Sequence, residues 1–163
     1  MSKSKNTALS IADRLHIAAV FVRKAAIETT EEFRNRPASP DANRSTVNAA
    51  VYFNEEASAV RVIVNATITG LKGGIEIGCT GEFDIQFDLL LTDLSNDLVI
   101  DGERKSLDHR VAATIVGVCY STARGMVLEK TSGTYLNGCL LPILNPDTLL
   151  QTNTIKDVKR SDT

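Results

Sequence analysis

The residues able to do chemistry are few and badly spaced for it. His16 and His109 are the only histidines in 163 residues, and Cys79, Cys119 and Cys139 the only cysteines. Asp108-His109 by itself is no metal-ligand set, so His109 reads as a first-turn surface residue of a helix and His16 as a strand residue. No nucleophile elbow and no redox cysteine pair occurs. Gly70 to Gly74 lacks the G-x-G-x-x-G spacing and precedes a strand rather than a helix, so its glycines are turn residues, not a phosphate cradle. Glu76, Glu82, Asp84 and Asp88 fall on one face of an alternating stretch and could in principle form an acid/base pair. Such a pair needs a hollow and a perturbing environment. The pattern demands neither, and a solvated sheet face or an acidic docking surface accounts for it. The residues thus call for no enzyme, metal or cofactor.

The elements that hold these residues are easier to read. Ile75, Ile77, Cys79, Gly81, Phe83, Ile85, Phe87 and Leu89 alternate with Glu76, Gly78, Thr80, Glu82, Asp84, Gln86 and Asp88, a long strand with one apolar face and one wet face. Val60, Val62, Val64, Ala66 and Ile68 alternate in the same way before it, and Gly70-Leu71-Lys72-Gly73-Gly74 joins the two as an antiparallel hairpin. A short strand over Thr46–Phe53 precedes them, turned by Asn54-Glu55-Glu56. The stretch from Leu15 to Ile27 is a first strand with a bulge or an exposed end, because Arg23-Lys24 interrupts its apolar series on both faces, and Thr29 to Ser45 is a crossover loop. After Leu91 the chain turns polar through Lys105 and reads as a surface loop. Ser106 then caps a helix that runs to about Lys130, with Asp108 in its first turn and Ser132-Gly133 beyond its end. Asn145-Pro146-Asp147 announces a second, shorter helix. The expected fold is α+β: a four-stranded antiparallel sheet packed by one long C-terminal helix and a short second helix, in a single domain with polar tails at about 1–10 and 152–163.

Composition narrows the function. Eighteen basic against twenty acidic residues leave a net charge of −2, which draws the chain to neither nucleic acid nor an anionic membrane. The polar start is unlike a signal peptide, and the uncharged run from Val111 to Ala123 is too short to span a bilayer. Three thiols in apolar surroundings, odd in number and far apart, suit a reducing compartment. A cytoplasmic address is expected.

The sheet and the helix do not match in size. Strands of about 15 residues span roughly 50 Å and four of them cover about 19 Å, whereas a helix of about 25 residues measures roughly 38 by 10 Å. The bare remainder, on the order of several hundred Å², needs a second subunit or a partner. In the long helix Ala113, Gly117, Ser121 and Gly125 recur every four residues. Two helix-interior glycines cost about 2 kcal/mol relative to alanine, and that cost has two explanations: a subunit interface along the stripe, or packing on the chain's own sheet. Large apolar residues also stand in irregular segments, among them Phe33, Tyr135, Leu136, Leu140, Leu141, Ile143 and Leu144, with Leu149-Leu150 at the short helix. Either they tuck onto the core or they line a groove for extended apolar peptide.

Ser132-Gly133-Thr134-Tyr135 at the end of the long helix, Leu141-Pro142-Ile143-Leu144-Asn145-Pro146-Asp147-Thr148-Leu149-Leu150 after it, and Cys79-Thr80-Gly81-Glu82-Phe83 in the last long strand resemble the SecB export chaperones and their SecB-like relatives. The resemblance runs from about Leu15 to Leu150 and is clearest from Tyr120 onward. It implies an ATP-independent, cytosolic, homotetrameric chaperone, a dimer of dimers meeting through the long helices, that binds unfolded or precursor polypeptide in apolar grooves. By position the groove would be lined by Phe33, Tyr52, Tyr120, Tyr135, Leu140, Leu141, Leu149 and Leu150. The export chaperones are markedly acidic, which helps them dock on the translocase motor SecA. This chain is near neutral and ends in Lys156-Asp157-Val158-Lys159-Arg160-Ser161-Asp162-Thr163. Its polar stretch Thr92–Lys105 is also longer than the family pattern. Some SecB-like proteins instead protect the antitoxin of a toxin–antitoxin pair. Protein export, antitoxin protection and general holding therefore stand side by side. A reading of another class stands beside them: a small-molecule-binding or enzymatic α+β domain with Asp84 or Glu82 as base.

Overall fold

A computed structural model describes residues 9–151 and 156–157. A one-turn helix α1 (Ile11–Arg14) leads into β1 (Leu15–Thr29), followed by α2 (Glu31–Asn35), β2 (Ala42–Asn54), β3 (Ala59–Lys72) and β4 (Ile75–Leu91). A 3-10 turn (Leu94–Asp97), a hairpin β5 (Leu98–Asp101) and β6 (Arg104–Leu107), the long helix α3 (His109–Thr131), the short helix α4 (Pro146–Gln151) and a two-residue strand β7 (Lys156–Asp157) complete the order. The main sheet runs β1-β4-β3-β2-β7, its four long strands antiparallel and β7 added in parallel at Tyr52 and Phe53.

Alternation decided the faces of the sheet. Val51 and Phe53 from β2, Val60, Val62 and Val64 from β3, and Phe83, Ile85, Phe87 and Leu89 from β4 point to one side and are buried in one cluster. Val111, Ala112, Ile115, Val116, Cys119, Tyr120, Ala123 and Val127 of α3 pack into it. By length and composition α3 would pass for a membrane-crossing helix, with a mean hydropathy of 1.5. Its buried stripe is matched instead to the sheet.

Several elements differ from the sequence reading. The expected crossover loop contains α2, capped by the Thr30 hydroxyl, which accepts from the Phe33 amide at 3.2 Å. Strand β2 begins at Ala42 rather than Thr46. Gly70 lies inside β3, and the hairpin turn is the pair Gly73-Gly74, both at positive φ, a conformation glycine adopts without steric cost. The polar stretch after Leu91 is no open loop. Leu98-Val99-Ile100 is β-prone and Gly102-Glu103 supplies the turn, with Gly102 at positive φ, so it folds into the β5–β6 hairpin. Arg14 ties that insertion down, donating to Asp97 at 2.7 and 2.9 Å and to the Thr92 carbonyl at 2.9 Å. The cap of α3 is Asp108, whose Oδ1 accepts from the Arg110 and Val111 amides at 2.9 and 3.3 Å, while Ser106 sits in β6. The bulges in β1 fall at Ala18 and Arg23, the second one where the paired charges stand. The tail expected from Thr152 lies outside the described residues, apart from β7.

The size mismatch is localised. α3, the segment after it and α4 cover β2, β3 and β4, and β1 stays uncovered at the sheet edge. On its helix side Ile17, Val20 and Val22 are 37, 38 and 41% exposed, and Phe21 on the other side is 50% exposed.

Candidate functional site

The segment Ser132–Asn145 connects α3 to α4 and is shaped from both ends. Gly133 takes φ +75° beyond the helix. The Thr134 hydroxyl donates to the Thr131 carbonyl at 2.7 Å and accepts from the Leu136 amide at 3.1 Å, closing a tight turn. That turn sets Leu136 onto Gly81 of β4, where even a methyl group would stand 2.9 Å from the Leu136 side chain. Farther on, the Tyr120 hydroxyl donates to the Pro142 carbonyl at 2.7 Å and Arg124 Nε donates to the Leu141 carbonyl at 3.0 Å. Burial pushes the Tyr120 phenol up, against a smaller opposing pull from Arg124. Asn145 Oδ1 then accepts from the Asp147 amide at 3.0 Å and starts α4.

Pinned in this way, the segment divides its apolar residues. Leu136, Cys139 and Leu141 are buried, whereas Tyr135, Leu140 and Ile143 are 49, 53 and 86% exposed. Phe33 lies beneath Tyr135 in an edge-to-face contact with ring centroids 4.8 Å apart. The segment thus rests on the core while leaving three large apolar side chains, its platform, partly in water.

The eight groove residues expected from the sequence are not gathered into one groove. Phe33, Tyr120, Leu141, Leu149 and Leu150 are buried in the core. Tyr135 and Leu140 are on the platform. Tyr52 is on the opposite face of the sheet, paired across β2 and β3 with Arg61. The sequence reading noted Ile143 as a misplaced apolar residue without placing it in the site. It passed over the β1 residues Ile17, Val20, Phe21 and Val22, whose signal was an apolar run interrupted by charges. Along the helix stripe, Gly117 lies against Pro146 of α4, where a methyl group would meet its Cγ at 3.2 Å, whereas a methyl group at Gly125 would meet nothing and Ser121 is exposed. Ala113 is half-buried against the core.

Around Tyr52 the outer face of the sheet holds an open cleft of about 510 Å³, lined among others by Asn54, Arg61, Ile63, Asp88 and Leu90. Arg61 grips Asp88 with two hydrogen bonds of 2.7 and 3.1 Å. Glu82 pairs with Lys24 and Glu76 with Arg44, whereas Asp84 Oδ2 reaches Arg23 only at 4.0 Å and its Oδ1 is buried without a hydrogen-bond partner. His109 pairs with Asp147 at 2.9 Å, and His16 is exposed in β1. Among the described residues no three acidic, histidine or cysteine side chains cluster as a metal site.

No protein-family model matches the chain, and no curated protein does. Among solved structures it resembles the SecB-like chaperone Rv1957 of Mycobacterium tuberculosis, in complex with a ChAD peptide from the HigA1 antitoxin. The TM-score is 0.54 at 16% identity, covering 82% of this chain and 89% of that one. A protein of unknown function from Streptococcus agalactiae matches with a TM-score of 0.38 at 11% identity, over 79% of this chain and 97% of that one. The first likeness establishes the fold as SecB-like.

Proposed function

We propose that this protein is an ATP-independent chaperone that holds unfolded polypeptide by its apolar segments on the platform of Tyr135, Leu140 and Ile143. The observation that carries the reading is that these three side chains stay exposed on a segment whose backbone is pinned by Tyr120, Arg124 and Thr134. An ordered segment that leaves large apolar groups in water is a docking surface for apolar partners. The SecB-like fold supports the same reading, and the antitoxin peptide bound to Rv1957 favours an antitoxin as client over an export precursor. No catalytic step is assigned.

The working unit is a homo-oligomer in the cytoplasm. β1 is a 15-residue edge strand with apolar groups exposed on both of its faces, and an edge of that length and character is normally covered by a neighbouring chain. A second copy pairing along β1 covers it, and a dimer of dimers joined through the helix faces matches the family pattern.

The test is suppression of aggregation of a denatured, unrelated protein without nucleotide. The wild-type chain suppresses it, and the Leu140→Ser/Ile143→Ser variant, which alters exposed side chains and leaves the Tyr135–Phe33 contact in place, does not. Unchanged suppression by the folded variant overturns the platform. The outer cleft favours a second reading, a small-molecule site between Tyr52 and the Arg61–Asp88 pair. Its signature is protection of the chain against heat by a ligand that a Tyr52→Ala variant no longer answers.

A further inference from the structure

The outer cleft owes its hollow to small residues set between large ones. Tyr52 of β2, Arg61 of β3 and Asp88 of β4 stand in register across the sheet. The next row, at the β2–β3 turn, is Asn54, Ala59 and Leu90, and Ala18 sits at the β1 bulge between Ile17 and Ala19. Ala18, Ala57 and Ala59 leave the space of about 510 Å³ that their larger neighbours enclose, a volume in the range of small-ligand sites. One end is fixed by the turn. Asn54 Oδ1 accepts from the Ala57 amide at 3.1 Å, and the Ser58 carbonyl accepts from the Leu91 amide at 2.9 Å.

The polar groups on the walls are unevenly satisfied. Asp88 Oδ1 accepts from Arg61 Nε at 2.7 Å and from Gln86 Nε2 at 3.1 Å, and Oδ2 accepts from Arg61 Nη2 at 3.1 Å and from Gln86 Nε2 at 3.3 Å. Each oxygen thus carries two donors, and the carboxylate has no acceptor position to spare. Arg61 spends only the Nε–Nη2 edge of its guanidinium on Asp88. Among the described residues its other edge, Nη1 with the second Nη2 proton, meets no acceptor, and neither do Asn54 Nδ2 and the Tyr52 hydroxyl. The Arg61 side chain is 52% exposed, so that edge is reachable. A pair of parallel N–H groups on a planar fork matches a carboxylate, and Asp88 holds the plane in which they lie. What the walls still offer is donors, beside the aliphatic side chains of Ile63, Leu90 and the alanines.

We propose that the outer cleft binds an aliphatic monocarboxylate, a medium-chain fatty acid, with its carboxylate on the free edge of Arg61 and its chain along Ala18, Ala59, Ile63 and Leu90. Asp88 and Gln86 are positioning residues in this arrangement. An alcohol in the same place leaves the fork without a charged acceptor, and an ammonium meets donors and an Asp88 already filled. This ligand class rests on the small-molecule reading of the cleft given above.

The test is calorimetric titration of the full-length chain with decanoate, below its micelle threshold, beside decanol and decylamine. Decanoate is expected to bind, and the other two to bind about tenfold or more weakly, the share of a charge-assisted hydrogen bond. Arg61→Gln, at an exposed pair whose Asp88 keeps Gln86, loses the same factor for decanoate and none for decanol. Ala59→Leu fills the hollow and abolishes binding of decanoate while the circular dichroism of the chain is unchanged. If decanol or decylamine binds as tightly as decanoate and Tyr52→Ala or Ala59→Leu abolishes it, the small-molecule site stands and the carboxylate class falls. A free C-terminal carboxylate on an apolar peptide that displaces decanoate at lower concentration overturns the fatty-acid assignment in favour of a chain end. Decanoate binding that Arg61→Gln, Tyr52→Ala and Ala59→Leu all leave unaltered, or that Leu140→Ser/Ile143→Ser removes, puts the ligand elsewhere and overturns both the class and the site, as does no binding at all.

Discussion

β4 and β1 are neighbours in one sheet, hydrogen-bonded along most of their length, yet they differ in almost everything else. β4 alternates strictly, and its inward residues from Cys79 to Leu91 are buried. β1 carries a comparable share of apolar residues, but two bulges break its alternation, charges stand at Arg23 and Lys24, and its helix-side residues face no helix. β-patterning alone does not bury a strand; a strand is buried when another layer lies over the face that the pattern provides. The difference separates two parts of the sheet: β4 holds the protomer together, and β1 leaves apolar side chains in water.

The sharpest contrast comes from truncating each strand. Phe87→Ala in β4 removes a fully buried ring and is expected to destabilise the protomer by about 3–5 kcal/mol, read by urea denaturation. Val20→Ala, on the opposing β1 position, is expected to cost less than about 1 kcal/mol in the isolated protomer. Equal losses would erase the distinction. Next in size is the anchor between the end of α1 and the insertion. Arg14→Ala leaves the Asp97 carboxylate, itself 12% exposed, without its charged donor, and should cost about 1.5–3 kcal/mol. Pairing through β1 is tested by Ile17→Lys/Val20→Lys. Light scattering should report a smaller particle while the thermal midpoint of the protomer changes little; an unchanged particle mass moves the interface elsewhere. The smallest effect sits in α3. Gly125→Ala adds a methyl group in open space and should stabilise by about 0.5–1 kcal/mol. Gly117→Ala gains less, because Pro146 must give way. Should Gly125→Ala instead disperse the oligomer, the stripe is an interface between copies.

The legible parts of the fold share a property. The alternation over β3 and β4, the Asn145-Pro146 start of α4 and the stop at Ser132-Gly133 are local patterns whose physical cause lies within a few residues. The parts misread involve a choice between equivalent local signals. Ser106 and Asp108 are both good caps, and the β5–β6 hairpin, which carries Ser106 in a strand, decides for Asp108. Gly102-Glu103 is a hairpin turn that the surrounding polar residues hid. Of the candidate site, Tyr135 and Leu140 were readable as apolar residues in the wrong kind of segment. That Leu141, one residue on, is buried followed from nothing local: Arg124 and Tyr120, from the preceding helix, turn the segment so that Leu141 points inward.

The order of residue types by itself determined which faces of β2, β3 and β4 are apolar, because side chains alternate sides with a period of two whatever surrounds them. It determined as well that one long helix is too narrow for such a sheet, since both dimensions follow from residue counts. Only the tertiary structure decided which strand stays bare and which loop side chains remain in water. Those outcomes depend on where the helix and its following segment come to rest, and that is set by contacts between residues far apart in the chain, such as Leu136 on Gly81 and Pro146 on Gly117.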